Sequence, residues 1–421
     1  MNHLQANTPT APDRRQFFGR IGLGTVGLAA GGSLLSACSP RSANHSLVSD
    51  SAQEASAMAS AITPFYGDHQ AGIITPAQRH VYFLVLDLHT QNLSEIQAVF
   101  KGWTQSAYKL TLGQNVHAYD SNPHVPPTDT GEADSLNAYN LTLTFGVSPS
   151  FLTKLGLSSQ APAELVDLPL FPRDQIRKEF SGGDICIQAC ADDPQVAFHA
   201  VRQLVRQARN SVTMKWSQMG FNSFDHIQDT PRNLFGFRDG TANQETLKNP
   251  NQHIWADAPG WMQGGSYLVA RKIQMHLETW DRTSLTGQEE TFARKRPSGA
   301  ALGSATNEFE SFDVNAKDSK GELVIPDISH LGLAKRTGMQ LLRRSYSYAS
   351  GIDPVTGQFD AGLLFISFQK SPGQFIAVQS AFGRIDKMNE YVTHIGSGLF
   401  ACFGGIKEGQ YIGQSLLEAR A

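Results

Sequence analysis

Cysteine is scarce in this sequence: Cys38, Cys186, Cys190 and Cys402 are the only four in 421 residues. So few, so widely spaced, exclude a disulfide scaffold and a cysteine-rich zinc cluster. Cys186 and Cys190 share one face of a predicted strand, "DICIQACA", and read as packing. An excess of either charge is also missing. Lys and Arg number 35 against 38 Asp and Glu, a net charge of -3, so there is no basic surplus to neutralise a phosphate backbone and nucleic acid is excluded as the main partner. None of the 13 histidines stands in an H-E-x-x-H arrangement, and no G-x-S-x-G elbow is present. No glycine-rich loop ends in Gly-Lys-Ser/Thr, which removes the usual phosphate cradle. The run Ile21–Ala37 is rich in glycine and shorter than the ~20 apolar residues a membrane span needs.

What is present begins at the N-terminus. Arg14 and Arg15 in "DRRQFF" precede that mildly apolar run, the arrangement of a twin-arginine export signal spanning residues 1–38. This route exports folded proteins, often with a cofactor installed, and places the mature protein in the periplasm or on the outer face of a membrane. "LLSAC" ends in Cys38 and has the form of a lipobox, so lipid anchoring at Cys38 and simple cleavage nearby both stand. Residues 39–62 are rich in Ser and Ala without periodicity and read as a tether.

From Arg79 onward strands and helices alternate. "HVYFLVLDL" is a continuous apolar run, as in a strand buried on both faces. It is followed by Leu93, Ile96, Phe100, Trp103 and Ala107 at helical spacing. "LTLTFGV" and "GDICIQACA" read as strands, with Ser148 and Asp192 or Asp193 as helix caps. Later come "SYLVARKIQMHLETW", "QLLRRSYSYA", "AGLLFISFQ" and "GLFACFGG" as strands. A helix follows Gly373, with Phe375, Val378, Phe382, Ile385 and Met388 inward. The pattern predicts an α+β fold of two ferredoxin-like (β-α-β-β-α-β) units packed together, 63–227 and 228–421. Between them, residues 228–263 form a connector long enough to suggest a functional loop.

That connector holds "GFRDGTANQ", residues 236–244. On its own, an aspartate between glycines reads first as a turn. The longer string "PRNLFGFRDGTAN" (Pro231 to Asn243) resembles the signature of the dye-decolourising (DyP-type) haem peroxidases. The resemblance continues in family order through "PFYGDHQAGIITPAQ", "WDRTSLTGQEETFARKRPSGAALG", "DISHLGLAK", "LLRRSYSYASG" and "AGLLFISFQ". It covers Pro64 to the C-terminus and is nearest to the exported deferrochelatase/peroxidase branch of bacterial iron-uptake systems.

The resemblance implies two ferredoxin-like halves with one haem b in a pocket of the C-terminal half. It implies His330 of "DISHL" as the proximal iron ligand, steadied by an acceptor on its other nitrogen. On the distal side it implies Asp239 as the group that moves a proton of hydrogen peroxide, and Arg343 as the cation beside it. Asn243 would complete the distal set through water. Gly240, Thr241 and Ala242 would bring backbone against the porphyrin edge, and Arg336 would meet a haem propionate. Leu363, Leu364 and Phe365 are candidate pocket walls. Arg344, next along the strand, should face away from Arg343. Aromatic, dye-like reductants are the implied donors, best used at mildly acid pH, with Trp255, Trp261, Trp280, Tyr346 and Tyr348 as candidate electron relays. A homodimer is implied at family level. Two other readings remain: release of iron from haem, or haem carriage, in an iron-uptake system. A chlorite-dismutase-like enzyme shares the architecture but uses a distal arginine without an acid, against which Asp239 argues.

Overall fold

Strand β1, His80–Leu88, shows how this sequence builds its layers. In the computed structural model, which describes residues 56–118, 122–223, 230–303 and 305–419, its two faces are both apolar and both buried. Val81, Phe83 and Val85 enter one core; Leu84, Leu86 and Leu88 enter another. The export signal, Cys38 and residues 39–55 of the tether lie outside the described residues, as does the junction 224–229.

Helix α1, Leu93–Thr111, starts at Asn92, whose side chain accepts from the Ser94 and Glu95 amides, and lays Ile96, Phe100, Trp103 and Ala107 on the outer face of the sheet. Then follow β2 (Thr142–Val147), β3 (Ile185–Ala191), α2 (Pro194–Ala208) and β4 (Val212–Phe221). Ser148 caps the short helix after β2, and Asp193, not Asp192, caps α2. The strands lie antiparallel in the order β4-β1-β3-β2, the ferredoxin-like arrangement.

The second half repeats it. Strands β5 (Ser266–Met275), β6 (Tyr346–Ile352), β7 (Phe359–Gln369) and β8 (Gly398–Cys402) lie in the order β8-β5-β7-β6, with helix α5 (Pro372–Ile385) between β7 and β8. The two half-sheets join at both ends, β8 to β2 through Ala401↔Val147 and β4 to β6 through Phe221↔Ser347. Among the described residues, eight strands therefore close into a ring with no free end. Phe83, Trp216, Tyr346, Tyr348, Phe368 and Phe400 fill its interior. Cys186 and Cys190 lie there too, buried.

The halves differ where it matters. In place of a helix between its first two strands, the second half carries residues 276–341, including α3 (Leu285–Phe292) and α4 (His330–Arg336). The apolar run expected as one strand from Ser266 ends at Met275, and Leu277–Trp280 turns helical. "QLLRRSYSYA" divides into a two-residue strand, Leu342–Arg343, and β6. Ile385, expected inward, is 55% exposed because α5 stops there and Asp386 starts a new turn.

Candidate active site

A cavity of about 440 Å³ opens on the outer face of the second half-sheet. Side chains alternate along a strand, so β7 gives Leu363 and Phe365 to the cavity and Leu364 to the ring interior. Of the three walls expected, Leu364 is thus the one that does not line it. Ile273 and Met275 of β5 extend the apolar wall, and α5 adds Phe375, Val378 and Phe382.

His330 is the first residue of α4, whose start is fixed by the Ser329 hydroxyl accepting the Gly332 amide at 3.3 Å. Its ring lines the cavity, with Phe382 4.3 Å away centroid to centroid. Nδ1 donates to the Asp386 carboxylate at 2.7 Å. That carboxylate is almost wholly buried, and its other oxygen accepts the Met388 amide at 2.8 Å. An ionised carboxylate only accepts, so Nδ1 keeps the proton and Nε2 keeps the lone pair. Asp386 carries no sequence signal: it is 56 positions away and reads as an acid at a helix end.

Asp239 comes from the connector. Asn233 accepts the Phe235 and Phe237 amides, and Arg232 bridges Arg238, folding the loop tightly around Gly236 at φ +84°. Gly240 follows at φ +101°, a conformation L side chains rarely adopt, and the chain turns there with Asp239 on the cavity wall. The Asp239 amide donates to Pro231 O at 2.9 Å. Its carboxylate meets the Arg343 guanidinium at 3.0 Å, with the two side chains 17% and 27% exposed. This pair is desolvated enough to hold its geometry yet open to the cavity.

Asn243 does not face the cavity. Its amide clamps the backbone of Arg343 from both sides, accepting from Arg343 N at 2.9 Å and donating to Arg343 O at 2.6 Å. Thr241 and Ala242 line the cavity, whereas Gly240 does not and is explained by its φ. Arg336 is also elsewhere: its guanidinium donates to Val314 O at 2.9 Å and Ile325 O at 3.2 Å. Arg344 faces away from Arg343, as alternation requires, and donates to Thr75 O, Pro76 O and Gln78.

Three cavity residues had no sequence signal. Arg294, buried in the "TFARKRP" segment, donates to Gly299 O at 2.5 Å; burial, then the neighbouring Arg343, pushes its guanidinium below the ordinary value. Arg271 pairs with Asp174, and it lines the cavity together with His394. Burial, then the Arg271 and His330 charges, pushes the His394 imidazole down to about 3. All five candidate relay aromatics are buried, Tyr346 and Tyr348 inside the ring.

Comparison with known proteins identifies the family. Residues 70–222 match the N-terminal and residues 230–407 the C-terminal domain of the Dyp-type peroxidase family. The chain belongs to that family. It is 34% identical over 437 residues to a deferrochelatase of Escherichia coli, covering 99% of this chain and 100% of that one. A Yersinia pestis deferrochelatase is 36% identical over 376 residues, 85% of each chain. Ferric DtpA from Streptomyces lividans superposes with a TM-score of 0.80 at 36% identity, over 86% of this chain and 99% of that one. A DyP-type peroxidase from Cellulomonas bogoriensis gives 0.79 at 35%, with the same coverage. The chain is thus a peroxidase-family oxidoreductase with the duplicated ferredoxin-like fold.

Proposed function

We propose that this chain is an exported haem b peroxidase that reduces hydrogen peroxide and oxidises aromatic, dye-like donors, with one haem per chain. The observation that carries the reading is one cavity with an Asp–His couple and an Asp–Arg couple on its walls, Asp386–His330 and Asp239–Arg343. The residues fit haem. The cavity is mostly apolar, its volume lies within the ~300–1,000 Å³ of ligand sites, and the His330 tautomer leaves Nε2 as a metal ligand.

Bound haem would supply the redox chemistry, taking oxidising equivalents from peroxide and passing them to a reductant. The chain's residues would do the rest. Asp386 holds His330 in the ligating tautomer. Asp239 takes the proton from one oxygen of hydrogen peroxide and returns it to the departing oxygen, which leaves as water. Arg343 fixes the Asp239 carboxylate and stabilises the negative charge developing on that oxygen. Asn243 positions Arg343 by its backbone.

The test compares mature wild type, Asp239→Asn and Arg343→Leu after haem loading. Turnover of peroxide should fall by about 10²–10⁴ in Asp239→Asn, the span of a lost acid–base group. Unchanged turnover in both variants would refute the assignment and favour haem carriage. A second reading, release of iron from haem, is supported by the name of the curated relatives. Incubation with haem and a search for iron-free porphyrin tests it. Export by the twin-arginine signal, anchoring at Cys38 and homodimer formation belong to the same proposal and are read by fractionation, lipid labelling and light scattering.

A further inference from the structure

Glu308 does not line the cavity, yet its side chain, 7% exposed, touches both ends of the loop that carries Asp239. One oxygen, Oε2, accepts from the Thr230 hydroxyl and, at 2.9 Å, from the Thr241 hydroxyl. Residues 231–240 therefore run out from one carboxylate oxygen and back to it. The other oxygen, Oε1, lies 4.0 Å from Arg238 Nε, and Arg238 Nη1 donates to Thr230 O at 2.7 Å. From Thr230 the tie reaches Asp239 in one step, because the Asp239 amide donates to the carbonyl of Pro231, the next residue. Asp239 is thus held on its N-terminal side through Thr230 and Arg238, and on its C-terminal side through Thr241.

The packing around this acid is tight. Gly299, at φ +71°, passes so close that a Cβ there would stand 2.9 Å from Glu308 Cβ and 2.8 Å from Arg238 Cγ. The backbone of Glu308 is engaged as well. Its carbonyl accepts from Arg294 Nη1 at 3.4 Å, and Arg294 stands on the cavity wall beside Arg343. A buried carboxylate stripped of its donors is costly, so the acid and the loop ends hold one another in place.

We infer that Glu308 is a positioning residue for the peroxide reaction: it clasps both ends of the 230–241 loop and so fixes where the Asp239 carboxylate sits against Arg343. The inference rests on the peroxidase reading, which gives Asp239 its task. A proton acceptor works only within hydrogen-bond reach of the proton it takes. Arg343 restrains the Asp239 carboxylate but not the backbone behind it, and the clasp supplies that second restraint. Misplacement by about 1 Å is enough to cost on the order of a hundredfold in rate.

The experiment follows Glu308→Ala, Glu308→Gln, Thr230→Val and Thr230→Ser. In the haem-free protein, hydrogen exchange read by mass spectrometry should quicken about tenfold or more at amides 236–243 in Glu308→Ala and Thr230→Val, with the amides of β1 unchanged. Glu308→Gln, whose carbonyl can take the place of Oε2, and Thr230→Ser, which keeps the hydroxyl, should exchange close to wild type. In the haem-loaded protein, kcat/KM for peroxide per bound haem should fall about 10- to 100-fold in Glu308→Ala. Haem loading and the Soret band should stay as in wild type, and Glu308→Gln should recover most of the turnover. Wild-type exchange at 236–243 in both Glu308→Ala and Thr230→Val would overturn the inference. So would wild-type turnover per haem in Glu308→Ala, or a Glu308→Gln as impaired as Glu308→Ala. Absence of peroxide turnover in wild type would instead count against the peroxidase reading, and the exchange rates would still decide the clasp. Should Glu308→Ala not fold, Thr230→Val decides both readouts with Thr230→Ser as its control.

Discussion

Replacing Asp386 with Asn tests the tautomer argument at His330. The carboxylate accepts from both His330 Nδ1 and the Met388 amide. An Asn side chain has one accepting atom and one donating group. Keeping the Met388 amide satisfied turns the NH₂ toward Nδ1, so two donors would face each other. His330 then moves its proton to Nε2, which removes the lone pair needed for a metal. Recovering the ligating form gives up the bond from the Asn amide and leaves two buried donors facing each other, about 1–3 kcal/mol, which is roughly 5- to 150-fold in haem affinity. Asp386→Ala removes the bond but leaves the tautomer free, so its loss should be smaller. Titrating haem into each haem-free variant, followed at the Soret band, measures the order. The reasoning fails if Asn binds haem as tightly as wild type, or if Ala is clearly the weaker of the two.

Asn243→Ala should lower peroxide turnover without lowering haem loading, because it frees the Arg343 backbone and not the cavity wall. Equal loss of both would show that Asn243 supports the fold instead. Arg336→Ala should lower the thermal midpoint, through the lost bonds to Val314 and Ile325, by an amount equivalent to about 1–3 kcal/mol; a large loss of haem affinity at an unchanged midpoint would restore the propionate role. His394 predicts acid lability in the haem-free protein. Its folded value near 3 lies below the ordinary 6.5, so the unfolded chain binds the extra proton and stability falls as pH drops between those values. At pH 5 the difference is about 2 kcal/mol, which His394→Gln should recover in denaturant melts compared at pH 5 and pH 8; no change in the pH slope would contradict this.

Sequence periodicity made much of this fold legible. Burial on both faces of β1, the spacing of Phe100, Trp103 and Ala107, and the cap at Ser148 are local signals, and each formed the expected element. Ring closure was not legible, since it rests on single pairings such as Phe221↔Ser347 between residues 126 apart in number. At the site, Asp239, Arg343 and His330 were named through motif resemblance, and they line one cavity. What failed was direction. Leu364 faces the ring interior because alternation along a strand overrides apolar character, and Asn243 turns to a backbone that only the fold brings near. Asp386 was invisible for the same reason, its partner His330 being distant in the chain.

The central claim is that His330 binds the cofactor opposite Asp239 and Arg343. His330→Gly, loaded with haem and titrated with free imidazole, tests it most directly. The account predicts that the Soret band and peroxide turnover are lost or strongly altered in the variant, and that imidazole restores both. A variant that keeps the wild-type spectrum and turnover without imidazole would contradict it.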